Sequence, residues 1–195
     1  MAPVATGGEA APAIPQRTLR SDARRNRERI LHVARDMVIH DGPDIGMDVI
    51  AKAVGVGVGT LYRHFPTKQA LIGEIVAALL HERMQAFDQA LELPDADQGL
   101  KFLIDRLAQI TVEEIGITSV YDETQMKDAC PEAQTALKAI TERFSTEAQR
   151  SGVLSTSISG SEFGALLCGM SRSIIAGASA ERAAKVLYDG LRQQR

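Results

Sequence analysis

The residues best able to do chemistry lie close together, between Thr60 and Lys68. Hydroxyl, aromatic and basic groups are concentrated there, whereas the apolar Leu61 and Phe65, four residues apart, would lie on the opposite side of a short helix. Hydroxyl and basic groups hydrogen-bond phosphate oxygens, and one arginine can bond two atoms of a guanine. This mixture predicts a surface that enters the major groove of a duplex; its polar members are Thr60, Tyr62, Arg63, His64 and Lys68.

The segment that would position these residues has the pattern of two short helices joined by a tight turn. The helices are predicted at about 46–54 and 58–64, separated by Gly55, which tolerates the positive φ of such a turn. Ala51 is small enough to let the two helices cross closely. Apolar residues occupy both sides of the elbow, as a helix-turn-helix requires; they are Ile50, Val54, Val56 and Leu61.

Further helices are predicted on both sides of this motif. Apolar residues recur at spacings of three and four from about 21 to 39, and Gly42-Pro43 would end that first helix. Thr67 is suited to cap a long helix that runs from 68 to about 91. The rest of the chain predicts helices at about 97–115, 119–128, 131–150, 159–177 and 180–193.

Charge is distributed unevenly along the 195 residues. The net charge is −3, yet residues 17–68 hold ten Lys and Arg against six Asp and Glu, a net +4, whereas residues 69–195 have a net −6. This asymmetry predicts a small basic contact module carried by a larger acidic body.

The composition also bears on the cellular compartment in which the protein is expected. Residues 1–16 lack the basic start and apolar block of a secretory signal, so we expect a disordered tail there. No apolar stretch reaches the roughly 18–20 residues that span a bilayer. Because Cys130 and Cys168 are far apart in the sequence, we expect a reduced, cytoplasmic protein without contact to a membrane.

Two stretches resemble a known family. RERILHVARDMVIHDG, followed by IAKAVGVGVGTLYRHFPTKQAL, is similar to the amino-terminal domain of TetR/AcrR-family transcriptional regulators. The ending EFGALLCGMSRSI…AAKVLYDGLR resembles the last two helices of one subgroup, which form the dimer interface in that family. The resemblance implies a homodimeric, sequence-specific DNA-binding repressor. Its implied partners are a palindromic double-stranded operator and a small-molecule effector that releases it.

The fold implied is all-α, with a three-helix DNA-binding domain over 17–83 and its helix-turn-helix at about 46–65. A long helix joins it to a helical effector-binding and dimerisation domain over 84–195. Enzyme motifs are absent from the sequence, and we expect neither a cofactor nor a metal ion. Four residues at successive four-residue steps are interpreted as a solvated helix face, namely Glu28, His32, Asp36 and His40. The alternative is a helical small-molecule-binding or interaction protein whose helix-turn-helix no longer reads DNA.

The resemblance also assigns roles to single residues. Phosphate contacts fall to Thr60, Tyr62, His64 and Lys68, and base-edge contacts to Val58, Gly59 and Arg63. An arginine-rich arm precedes the first helix, and the expected backbone or minor-groove contacts there are Arg24 and Arg25.

The carboxy-terminal domain is expected to hold the effector and the dimer interface. Large or soft side chains could line an effector pocket, although each also suits an ordinary core; they are His81, Met84, Phe102, Tyr121, Met126, Phe144 and Cys168. The last two helices could pair with their copies as a four-helix interface. The apolar residues expected in it are Phe163, Leu167, Met170, Ile174, Leu187 and Leu191.

Overall fold

The computed structural model describes residues 16–42, 44–118 and 130–192, with side chains from residue 24 onward except at 117 and 118. These residues form helices joined by short turns, so the predicted all-α fold is confirmed for this part of the chain. None of its helices is both long and apolar enough to cross a membrane. The helices are α1 (Gln16–Asp41), α2 (Met47–Val54), α3 (Val58–His64), α4 (Lys68–Glu92), α5 (Ala96–Glu113), α6 (Ile115–Thr118), α7 (Pro131–Arg150), α8 (Gly160–Ile175) and α9 (Ala180–Leu191).

The helix bounds agree with the predicted ones wherever the local signals are strong. Gly55 ends α2 with a left-handed backbone, at φ 76°, and the Thr67 hydroxyl accepts a hydrogen bond from the Ala70 amide at 3.0 Å, which caps α4. α1 begins at Gln16, earlier than the predicted 21–22. The helix predicted at 119–128 lies outside the described residues.

Two groups of buried apolar side chains form the interior. One belongs to α1, α2, α3 and the first half of α4, and the other to the second half of α4 with α5, α7, α8 and α9. α4 passes from the first core into the second between Leu80 and Ala86. We call the part up to Leu80 the head and the part from Ala86 onward the body.

A cluster of charged side chains also joins the head to the body. The Glu114 carboxylate, which is fully buried between α5 and α6, accepts a hydrogen bond from Arg83 at 2.7 Å and lies 3.5 Å from Arg35 of α1. Arg35 in turn makes two hydrogen bonds to Glu82 on α4. Burial raises the pKa of Glu114, and the two guanidinium groups oppose that rise. The cluster therefore fixes α1 against α4 and the α5–α6 turn.

Close beside this cluster, α6 touches the end of α1. A Cβ atom added to Gly116 would collide with the main-chain carbonyl of Ile39. Only glycine permits this approach of the two backbones, so the contact between α1 and α6 depends on the residue at 116.

Candidate nucleic-acid interface

α2 and α3 form the predicted helix-turn-helix. α2 turns most of its apolar residues inward, although Val49 stays 46% exposed, and Ala51 is fully buried where the chain turns back. The Val56 amide donates to the Ala51 carbonyl at 3.0 Å, which closes the turn after Gly55. The carbonyl of Gly57 then accepts from the amides of Thr60 and Leu61, so α3 starts immediately after the turn.

The two sides of α3 differ sharply in exposure. Leu61 and Phe65 are at most 1% exposed and anchor the helix to the head. Val58 and Tyr62 are 41% and 46% exposed, and Arg63 is exposed beside them. The structure therefore brings the predicted contact residues together on one outward surface, with Gly59 also exposed and Thr60, His64 and Lys68 half-buried at its edge. We call this surface the α3 face.

The described arginines near the start of α1 have different surroundings. Arg24 and Arg25 are exposed, but they lie inside α1, which begins at Gln16, so the predicted arm ahead of the first helix is wrong for these two residues. The Arg24 guanidinium lies 3.6 Å from the carboxylate of Glu28, one turn further along the same helix. Arg27 instead reaches across to α4, where it donates to Glu74 at 2.7 Å.

The start of α2 carries a negative charge. Gly46 precedes the helix in an extended conformation, and Asp48 lies in the first turn. A carboxylate there favours the helix dipole but repels a phosphate. A Cβ at residue 46 would also collide with the Asp48 carboxylate, so this position accommodates glycine best while Asp48 keeps its conformation.

Phe144, one of the residues predicted to line an effector pocket, is part of the body's core. Its ring stacks on Phe163, with centroids 5.8 Å apart, and meets the edge of Phe87 at 5.7 Å. The Phe144 side chain is 3% exposed and packs against both of these rings. In the described part of the chain, Phe144 therefore packs the core of the body.

Among the described residues, the structure does not bring the other members of that predicted set into one cavity. His81 is exposed and hydrogen-bonds Gln85 one turn away, and Cys168 is exposed on α8. Met84 and Phe102 are half-buried. Spacing alone could not locate a pocket, because size and softness are equally useful in a core. Two further members lie outside the described residues, Tyr121 and Met126.

The residues predicted for the dimer interface lie mostly on the inner side of α8 and α9, so the prediction chose the wrong side of these helices. Most of them point into the body's own core, where α8 and α9 pack against α5 and α7; Phe163, Leu167, Met170, Ile174 and Leu191 are all buried there and Leu187 is half-buried. The outward face of the same two helices instead carries Leu166, at 43% exposure, and Val186, at 67%. α8 has apolar residues on two sides, and the sequence does not distinguish which side the chain itself covers.

A groove of about 660 Å³ runs along this outward face. Leu166 and Val186 line it, and Met170, Leu187 and Leu191 from the predicted set also contribute to its lining. Gly169 and Gly190 line the groove without a side chain, and the open space beside them leaves room for another helix to approach closely. We call this surface the α8–α9 face.

The acidic and histidine residues of α1 do not form a metal site in the described structure. His32 lies 3.7 Å from Asp36, and both side chains are largely exposed. Among the described residues no three His, Cys, Asp or Glu side chains are grouped as metal ligands.

Comparisons of sequence point to one family. Residues 30–75 match the family described as "Bacterial regulatory proteins, tetR family". An HTH-type transcriptional regulator from Staphylococcus aureus is 46% identical over 108 residues, a match that covers 50% of this chain and 58% of the relative. The chain thus spans little more than half the length of the curated relatives it matches.

Comparisons of structure extend over most of the chain. The TetR transcription regulatory protein from Mycobacterium vanbaalenii is 30% identical with a TM-score of 0.67, covering 90% of this chain and 99% of that protein. LfrR, a TetR-like regulator from Mycobacterium smegmatis solved in complex with proflavine, has a TM-score of 0.63 at 18% identity. That match covers 87% of this chain and 95% of LfrR, and it shows a shared fold.

Proposed function

Because the chain belongs to the TetR family of transcriptional regulators and carries a DNA-binding helix-turn-helix domain, we propose that it is a homodimeric repressor. It binds a palindromic operator and leaves it when a small molecule binds to the body. The observation that supports the proposal most strongly is the α3 face. Val58, Tyr62 and Arg63 are exposed there, while Leu61 and Phe65 hold the helix from behind.

The residues of the α3 face divide into two kinds of contact. Arg63 meets a base edge, because it is the residue able to make two hydrogen bonds to one guanine, and Val58 meets a thymine methyl group. Gly59 lets the backbone approach the groove closely. Positioning contacts to phosphate oxygens come from hydroxyl, aromatic and basic groups. We assign them to Thr60, Tyr62, His64 and Lys68. Arg24 and Arg25 would contact the neighbouring phosphates of the DNA backbone.

We assign DNA binding to residues 17–83 and dimerisation with effector binding to residues 84–195. The passage of α4 from one core into the other between Leu80 and Ala86 supports this division. The α8–α9 face supports dimerisation, because an apolar surface with small residues suits close packing against a second copy. A twofold axis through that contact makes the two α3 faces equivalent, as a palindromic site requires.

Effector release follows from the spacing of the two recognition helices. They must lie about 34–36 Å apart to occupy successive major grooves. A ligand that binds better to a differently spaced dimer shifts the population away from the DNA-binding form. α4 and the Glu114 cluster are the described connections that would carry the change. The proflavine complex of LfrR, a protein of the same fold, supports a small-molecule effector.

The alternative of a helix-turn-helix that no longer reads DNA has weaker support. A degenerate motif has no reason to keep exposed tyrosine and arginine side chains beside a buried anchor, yet Tyr62 and Arg63 are both outward. Since its partner is chromosomal DNA, we place the protein in the cytoplasm.

Selection of bound duplexes from random DNA tests the proposal. We expect the full-length protein to enrich an inverted repeat, and raising the salt concentration to weaken its binding steeply. Light scattering should give the mass of a dimer, free and on the selected duplex. Failure to enrich any sequence at low salt would contradict DNA recognition, and a single copy on each duplex would contradict the paired arrangement.

A further inference from the structure

Arg27 is placed differently from its neighbours Arg24 and Arg29. Arg24 lies 3.6 Å from Glu28 and Arg29 donates to Asn26, and both of these partners lie on α1 itself. Arg27 leaves its own helix, and its Nη2 donates to the Glu74 carboxylate of α4 at 2.7 Å. Its guanidinium carbon also lies 4.6 Å above the centroid of the Phe65 ring.

These two contacts join three elements of the head. Phe65 immediately follows α3, is 1% exposed, and donates its amide to the Leu61 carbonyl at 2.9 Å. Glu74 lies in the second turn of α4. A guanidinium within about 6 Å of a ring centroid is attracted to the ring face. Arg27 therefore holds the end of α3 between α1 and α4.

The inner nitrogen of Arg27 indicates that this placement is fixed by packing. Its Nη1 atom is buried and has no hydrogen-bond acceptor among the described residues. An arginine that served a phosphate would keep both terminal nitrogens accessible, because phosphate recognition uses the paired N–H groups. In Arg27 one nitrogen is enclosed and the other is bonded to Glu74.

We propose that Arg27 is a positioning residue for DNA recognition, which acts through Phe65 and Glu74 to set the direction in which α3 presents Arg63. It does not itself bind a phosphate. The inference rests on the proposed DNA-binding function and deepens it. It separates Arg27 from Arg24 and Arg25, which remain the proposed phosphate contacts on the exposed surface of α1.

The two roles have different signatures in binding. Non-specific binding depends on phosphate contacts, whereas a base-reading helix must also be correctly oriented. Loss of a positioning residue lowers the affinity for the specific duplex, spares the affinity for random duplex, and leaves the salt dependence unchanged. Loss of a phosphate contact lowers both affinities and reduces the slope of log K against log salt by about 0.9 per contact.

The experiment compares two pairs of variants in the full-length protein. Arg27→Ala and Glu74→Gln test the positioning contact, and Arg24→Ala and Glu28→Gln are the matched pair on the exposed surface of α1. Each is titrated over a salt series with the duplex selected by the wild type and with a random duplex of equal length. Stoichiometric titration corrects for the active fraction, and circular dichroism verifies folding.

We expect Arg27→Ala and Glu74→Gln each to weaken binding of the selected duplex about fivefold. Their salt slope and their affinity for random duplex should match the wild type, and the double variant should lose no more than either single one. Arg24→Ala should reduce the slope on both duplexes, while Glu28→Gln should bind as well as the wild type or more tightly.

Several results would overturn the inference. A reduced slope in Arg27→Ala, or tighter binding in Glu74→Gln, would make Arg27 a phosphate contact that Glu74 restrains. Equal losses on both duplexes, or no loss at all, would remove the positioning role. If the wild type selects no sequence, the proposed DNA-binding function fails first, and the inference falls with it.

Discussion

Two pairs of helices in this molecule, α2–α3 in the head and α8–α9 in the body, share a design but expose opposite kinds of side chain. Each pair is joined by a turn containing a left-handed glycine, Gly55 at φ 76° and Gly177 at φ 100°. Each buries one apolar side in its own core. The surface that remains on α3 is mainly polar and basic, with Val58 as its aliphatic residue, whereas α8 and α9 leave a mainly apolar groove.

This difference indicates which partner each surface suits. Hydroxyl and basic groups keep their hydration in the free protein and exchange it for phosphate and base contacts. Exposed aliphatic groups beside glycines gain most from burial against another apolar helix. One surface is therefore suited to a duplex and the other to a second copy. In the proposed dimer, the second contact would multiply the affinity of the first by holding two half-sites together.

The largest effect should come from a charge placed on the α8–α9 face. Val186→Glu puts a carboxylate at a site that is 67% exposed in the single chain and enclosed in the proposed dimer. We expect a monomer by light scattering and a loss of operator affinity of at least about 100-fold, because the second half-site no longer contributes. Folding should be unaffected.

Val112→Glu is the matched control for that change. Val112 on α5 is also an exposed valine, at 49%, but it does not line the α8–α9 groove. The variant should remain dimeric and bind normally. A dimeric Val186→Glu protein, or an equal loss in Val112→Glu, would show that the apolar face is not the interface.

The next largest effect should be within the α3 face itself. Arg63→Ala should lose about 1–3 kcal/mol against the selected operator and accept a wider range of bases at one position. Lys68→Ala should instead weaken all sequences about equally and reduce the salt slope by about one. The measurement is a repeat of the random-duplex selection with each variant. Equal loss of base preference in both would remove the division between base and phosphate contacts.

The sequence predicted the first helix pair better than the second for a physical reason. In α2 and α3, local signals specify each boundary: Gly55 takes a positive φ, Pro66 follows the end of α3, and Thr67 caps the next helix. The outward side of α3 is mainly polar and basic, with Val58 as its aliphatic residue, so spacing separates Leu61 and Phe65 from Tyr62 and Arg63. These features hold without reference to any distant part of the chain.

For the second pair, spacing is insufficient. α8 carries Leu167 on its inner side and Leu166 on its outer side, one residue apart, and both are equally apolar in sequence. Which of them is covered depends on α5 and α7, which are far away in the chain. The same holds for Arg27, whose partner Glu74 lies 47 residues away. Contacts of this kind depend on tertiary packing, which a pattern of residue types does not encode.

A smaller effect should distinguish the two turns. Alanine at Gly55 or Gly177 would have to take a left-handed backbone, which costs about 1–2 kcal/mol. Urea denaturation should show a similar loss in both variants, with operator binding reduced beyond this in Gly55→Ala and dimer affinity reduced in Gly177→Ala. Gly57→Ala is the control, because Gly57 has φ −67° and open space around its Cβ position. A loss of stability in that control as large as in the other two would contradict the role of backbone conformation.

The smallest effect should be at the start of α8, where a charged cap stabilises the second helix pair. The Ser159 hydroxyl accepts from the Glu162 amide, and the Glu162 carboxylate accepts from the Ser159 amide at 2.8 Å. The Ser159 hydroxyl also donates to the Glu162 carboxylate at 2.6 Å, and this bond above all, together with the one from the Ser159 amide, lowers the pKa of Glu162. A lowered pKa in the folded state means that the carboxylate stabilises the fold above its ordinary pKa of about 4.3 and loses this contribution as the pH falls through the lowered value.

Ser159→Ala should therefore cost about 1 kcal/mol at pH 7 and less in acid, measured by urea denaturation at fixed protein concentration. Ser179→Ala at the start of α9 is the control, because Ser179 caps its helix through the Arg182 amide and the residue at that position carries no carboxylate. Its cost should be the same at both pH values. If the two serine variants depended on pH equally, the difference would belong to the whole protein, and the reciprocal bond between Ser159 and Glu162 would not be the source of the charge effect.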